Sequence, residues 1–114
     1  MIHLFLDDYR PCPKGFVLAR NGEECLMILR ECEVDILSLD YELGYGQMTG
    51  REVVVQLISE GIFPKEVYLH TSSMWGKREM YELLYQHRPE GMKLHNGPMP
   101  PEVLQQIAVE SDQR

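Results

Sequence analysis

No apolar stretch in this 114-residue chain approaches the length of a membrane span, which requires about 20 consecutive apolar residues. The one early apolar run is broken by Asp7, Asp8 and Arg10, so the amino terminus does not read as a secretory signal peptide. Basic residues are in deficit, 11 Lys and Arg against 18 Asp and Glu, for a formal net charge of −7. That balance argues against a duplex DNA binder, whose footprint should be basic, but leaves room for a local phosphate pocket. Cysteine is scarce: Cys12, Cys25 and Cys32 form an odd set with no C-x-x-C. A reduced, cytoplasmic protein is the expectation. Cys25 and Cys32 lie seven apart on an expected helix, hence on one face, and read as core fillers. Glycine-rich phosphate loops are missing too. The stretch from Gly44-Tyr45-Gly46 to Gly50 has neither G-K-[ST] nor G-x-G-x-x-G, and reads as a flexible lid.

What the chain does have is carboxylate at the ends of apolar runs. Asp7-Asp8 follows Ile2-His3-Leu4-Phe5-Leu6, and Asp40 follows Ile36-Leu37-Ser38-Leu39. If both runs are strands of one parallel sheet, three carboxylates meet at its C-terminal edge. Carboxylates that close repel one another unless a cation or proton intervenes. A Mg²⁺ (or Mn²⁺) site held by Asp7, Asp8 and Asp40 is therefore expected, and with it phosphate chemistry.

The length predicts one domain over residues 1–114. Buried-strand patterns occupy 2–6, 34–39 and 66–70, with weaker ones at 16–19 and 91–94. Helix starts fall at Asn21 with Glu24, at Thr49 with Glu52, at Ser72 or Ser73, and at Pro100-Pro101. The first of these helices should turn Leu26, Ile28, Leu29 and Cys32 inward. Alternating strands and helices predict an α/β fold with a parallel sheet covered on both faces. Only nine residues separate Asp7 from Phe16, and Pro11 and Pro13 fall among them, so the first crossover helix should be missing or reduced to a turn.

Ligands of open α/β sheets bind beyond the carboxyl ends of the strands. Those positions hold Arg10 after the first strand, His70, Thr71, Ser72 and Ser73 after the third, and Lys93 at the end of the last. Arg10 and Arg51 suit bidentate contact with phosphate oxygens, and His70 suits proton transfer beside the carboxylates. Lys77 and Arg78 read as a solvated helix face. Trp75 and Tyr45 read equally as base-stacking platforms or as rings packed on a helix.

The set Asp7-Asp8, Asp40, Thr71 and Lys93 resembles the response-regulator receiver domain. The local wording is narrower. Phe5-Leu6-Asp7-Asp8-Tyr9-Arg10-Pro11, Ser38-Leu39-Asp40-Tyr41-Glu42-Leu43-Gly44 and His70-Thr71-Ser72 with Gly76 and Met80 are similar to three segments of the cyclic-phosphate-processing receiver domains. Tyr41 and Glu42 stand where that family has His and Asp, and Ser73 stands near where it has Asn. The resemblance implies a flavodoxin-like (receiver-like) α/β domain. Asp7, Asp8 and Asp40 would hold metal, with Asp8 favoured for direct contact and Asp40 as an added nucleophile. Thr71, Ser72 and Lys93 would orient phosphate oxygens. It implies recognition or processing of a phosphate-bearing small molecule or nucleic-acid end, such as a cyclic phosphate, by a metal-dependent phosphoesterase. Two alternatives stand beside it. One is a signalling switch phosphorylated on Asp40 by a partner kinase; the other is a degenerate protein-interaction domain.

Overall fold

The computed structural model describes residues 1–113. In chain order the elements are β1 (Ile2–Leu6), β2 (Phe16–Ala19), α1 (Gly22–Glu31), β3 (Val34–Leu39), α2 (Gly50–Glu60), β4 (Glu66–Leu69), α3 (Met74–His87), β5 (Lys93–Leu94) and α4 (Pro101–Asp112). The strands form one parallel sheet in the order β2-β1-β3-β4-β5. Between β1 and β2 there is no helix, as the short, proline-interrupted connection requires.

The helix starts follow local chemistry. Asn21, Thr49 and Ser73 each accept a hydrogen bond from the amide three residues on, at Glu24, Glu52 and Gly76, satisfying amides that a helix leaves without partners. Gly61 closes α2 in the left-handed conformation at φ 68°, where a side chain would be strained. At Gly50 the first turn of α2 presses against the Asp40 carbonyl so closely that an added Cβ would collide with it. The Gly50 amide also donates to the Tyr41 carbonyl at 2.8 Å. This close approach fixes the segment after β3 against α2.

Side chains alternate across the sheet with a period of two. Leu4, Leu6, Leu37, Leu39, Val67 and Leu69 point to the side covered by α1, α2 and α3, where Cys25, Leu29, Val53, Leu57, Met80 and Leu84 complete the main core. Phe5, Ile36 and Tyr68 point to the other side and meet Ile107 of α4. Three helices thus cover one face and a single helix the other. Cys25 is buried, but Cys32 is exposed: the helix ends at Glu31, and Cys32 has left the helical track as its extended C-cap. Seven-residue spacing places two residues on one face only while the helix continues.

Candidate functional site

The same alternation assembles the site. Asp7 continues the parity of Phe5, Asp40 that of Ser38, and His70 that of Tyr68, so all three turn toward the α4 side at the carboxyl edge. One ligand atom from each of Asp7, Asp40 and His70 lies within 4.8 Å of the others. Asp8 has the opposite parity and is exposed.

Asp7 is completely buried, and its two oxygens are saturated. Oδ1 accepts from the backbone amides of Tyr9 at 3.0 Å and Arg10 at 2.9 Å. Oδ2 accepts from Arg10 Nη1 at 2.8 Å and meets His70 Nε2 at 2.9 Å. Burial alone would raise the Asp7 pKa, but the Arg10 and Tyr9 amides, the Arg10 guanidinium and His70 outweigh it and lower the pKa to about 2. Arg10 Nη1 also donates to Asp40 Oδ2 at 3.1 Å, while Asp40 Oδ1 accepts from the Tyr41 amide at 2.8 Å. A single guanidinium nitrogen therefore bridges both carboxylates, the position a cation must take if they are to share one edge.

His70 is anchored on every side. Because Asp7 Oδ2 only accepts, Nε2 carries the ring proton, and Nδ1 then accepts from the Ser38 hydroxyl at 2.6 Å. The ring stacks on Phe5 with centroids 4.4 Å apart and 5° between planes. Burial depresses the His70 pKa and so favours the neutral imidazole, partly opposed by the Asp7 hydrogen bond and the charge of Asp40. With both nitrogens engaged, His70 braces Asp7.

Above this buried layer lies a hollow of about 250 Å³, lined by Asp8, Tyr9, Arg10, Asp40, Glu42, Gly44 and Ser72. Asp8 and Glu42 are exposed there and Asp40 is buried at its wall, and three carboxylates make a hard-ligand set suited to a divalent ion. Thr71 is half-buried and its hydroxyl accepts from the Ser73 amide at 3.1 Å, which leaves its own proton to donate.

Two expected phosphate ligands are elsewhere. Lys93 pairs in register with Glu66, the first residue of β4, so it lies at the amino end of the sheet, away from Thr71. The carboxyl end of β4 meets Gly97 instead, whose carbonyl accepts from the Leu69 amide at 2.9 Å. Strand β5 has only two residues, and its periodicity was too brief to set the register. Arg51 turns to α3 and pairs with Glu79 at 3.3 Å. Arg78 likewise pairs along its helix with Glu82 at 3.1 Å. Tyr41 also leaves the site: its ring packs on Gly76 and meets Trp75 edge-on at 6.1 Å. Tyr45 stands fully exposed on the lid-like loop.

Two contributors escaped the sequence reading. Ser38 is completely buried beneath His70, and the signal was a lone hydroxyl within the run Ile36-Leu37-Ser38-Leu39. Arg20, just past β2, donates to the Asp7 and Arg10 carbonyls at 3.3 and 3.0 Å, pinning the turn that presents Arg10.

Such a fold and edge define a receiver-like domain. The receiver domain of the Francisella response regulator 1452 shares the fold with a TM-score of 0.59 at 15% identity, over 96% of this chain and 95% of that one. A fusion protein carrying the yeast Spc42 trimeric coiled coil matches with a TM-score of 0.57 at 19% identity, over 96% of this chain and 77% of its own. At these identities the likeness shows the fold alone. No curated protein matches the sequence. The chain belongs to the family described as Cyclic-phosphate processing Receiver domain, whose sequence model matches residues 2–86. The match runs from β1 through most of α3 and leaves β5 and α4 outside it.

Proposed function

We propose that the hollow at the carboxyl edge binds a divalent ion, Mg²⁺ or Mn²⁺, together with a phosphate-bearing ligand. The ligand class we favour is a cyclic phosphodiester on a nucleotide or RNA end. The observation that carries this reading is the shared lining: three acidic residues, Asp8, Asp40 and Glu42, line one hollow with Ser72 and Arg10. Such an ion would polarise a phosphoryl oxygen and acidify a water.

The chain's own residues supply the rest. Among the described residues the Arg10 guanidinium is anchored through Nη1, so the remaining donors of its fork would take phosphate oxygens. Ser72 and Thr71 add hydroxyl donors at the end of β4. Asp7 and His70 form the rigid floor that holds Arg10, with Asp8 and Asp40 as the metal ligands. Ring opening of a cyclic phosphate adds water across one P–O bond, and a proton passes from the attacking water to the departing sugar oxygen. The exposed carboxylate of Glu42, in the same hollow, would carry it. Three free thiols, one deeply buried, suit a reducing cytoplasm.

The phosphoacceptor reading is weaker, because the lysine expected to contact a phosphoryl group on Asp40 lies at the far end of the sheet. The two separate by experiment. With Mg²⁺, a 2′,3′-cyclic nucleotide should be converted to a monophosphate, and the Asp40→Asn variant should lose that turnover at least 100-fold. Incubation with a small phosphodonor should leave the intact mass unchanged. A mass gain of one phosphate that disappears in Asp40→Asn would instead establish the switch. No melting shift with Mg²⁺ or Mn²⁺ and no turnover would leave only an interaction domain.

A further inference from the structure

The under-covered face of the sheet contains a second, larger hollow at the opposite end from the carboxylate edge. Five strands spaced about 4.8 Å apart span roughly 20 Å, whereas one helix is about 10 Å across. A lone α4 cannot cover that width. It lies toward β2: a Cβ on Gly15 would fall 2.8 Å from Ile107, and Lys14 pairs with Asp112. The other flank of α4 is left open over β3 as a groove of about 570 Å³, within the range of ligand and peptide sites.

Its apolar lining is the buried Ile36 and Ile107, the half-buried Val103 and the exposed Met1, and its rim is acidic, formed by Asp35, Glu102 and Glu110. Glu102 and Glu110 are eight residues apart on α4, about 12 Å along the helix axis. None of the three rim carboxylates forms a salt bridge among the described residues, whereas Asp7, Asp40, Glu60 and Glu79 all do. His3 closes one end, and its buried Nδ1 has no hydrogen-bond partner among the described residues.

We propose that this groove docks a basic amphipathic helix of a partner protein. The partner's apolar side would rest on Ile36, Val103 and Ile107, replacing the layer that the missing first crossover helix leaves absent. Two Lys or Arg residues about two turns apart would meet Glu102 and Glu110. Charge selects this occupant: a second copy of the chain brings another net −7, which opposes self-association.

A designed helical peptide with leucines on one face and lysines at i and i+7 provides the probe, with a glutamate version as its control. In NMR titrations of the intact protein, the basic peptide should shift amides around 35–36 and 102–110 and bind at least tenfold tighter than the acidic one. Glu102→Lys/Glu110→Lys should weaken binding at least tenfold. Gln106→Trp, which fills the groove without changing its charge, should do the same. Melting curves of both variants should match that of the parent. The proposal is overturned by binding that neither variant weakens, by shifts confined to the carboxyl edge, or by no binding at millimolar peptide. Sedimentation showing a dimer that Gln106→Trp dissociates also overturns it, by making a second copy the occupant.

Discussion

The two ends of the sheet carry carboxylates in opposite conditions. At the carboxyl edge Asp7 and Asp40 are buried, and an internal cation, Arg10, joins them. At the amino end Asp35, Glu102 and Glu110 ring an apolar groove and form no salt bridge among the described residues. A buried charge must be neutralised within the fold itself, because leaving it unpaired costs several kcal/mol. An open rim is solvated at little cost and stays available to an external cation. The first cluster is therefore coupled to folding, and the second to recognition.

Breaking the internal cation should have the largest consequence. Arg10→Gln strands a fully buried Asp7 and should destabilise the protein by about 3–5 kcal/mol, read by urea denaturation. Mg²⁺ should recover part of that loss and raise the melting temperature more in the variant than in the parent, since the ion can take the vacated place between Asp7 and Asp40. An equal shift in both proteins would count against a shared cation position.

Acid should distinguish the two ends next. Asp7 is held at about 2 against an ordinary 3.8, a difference of roughly 2 kcal/mol. The unfolded chain binds this proton first. The contribution is thus complete above about pH 4 and lost as pH falls toward 2. His70 works in the same direction at higher pH. Its folded pKa lies below 6.5, so stability begins to fall as pH drops through 6.5 and the unfolded imidazole takes up a proton. Denaturation at a series of pH values should show this two-stage decline, and the Asp7 carboxyl resonance should remain that of the ionised form at pH 3.

How far this organisation could be read in the sequence depended on run length. β1 and β3, five and six residues in which apolar side chains predominate, put Asp7 and Asp40 at the ends of neighbouring strands. The caps at Asn21 and Thr49 marked where two helices begin, and the pair Ser72 or Ser73 bracketed a third, which the structure caps with Ser73. β5, with two residues, contained no period, and Lys93 was assigned to the wrong end of the sheet. Arg51 stands near a strand end in sequence, but its direction on α2 is set by the buried face of Gly50, Val53 and Val54, which turns it toward Glu79. The bridging role of Arg10 between two carboxylates depends on contact across thirty residues, which local pattern does not encode.

The amino-end groove should tolerate change. Glu102→Lys/Glu110→Lys should alter stability by no more than about 0.5 kcal/mol per site, as exposed charges usually do, in contrast to Arg10→Gln. A cost above 2 kcal/mol would mean that this rim is also part of the folding unit. The smallest effect concerns the thiols. Burial pushes Cys25 up to about 12, so alkylation of the native protein at pH 7.5 should label the exposed Cys32 and leave Cys25 unmodified until unfolding.

The two acidic clusters can be compared in a single titration. Substoichiometric Mn²⁺ broadens NMR signals near wherever it binds. Selective loss of the amide signals of Asp8, Asp40, Glu42 and Ser72, absent in Asp40→Asn, is the predicted result. Broadening centred on Asp35, Glu102 and Glu110, or spread evenly over both ends, would contradict the assignment of the metal-and-phosphate site to the carboxyl edge.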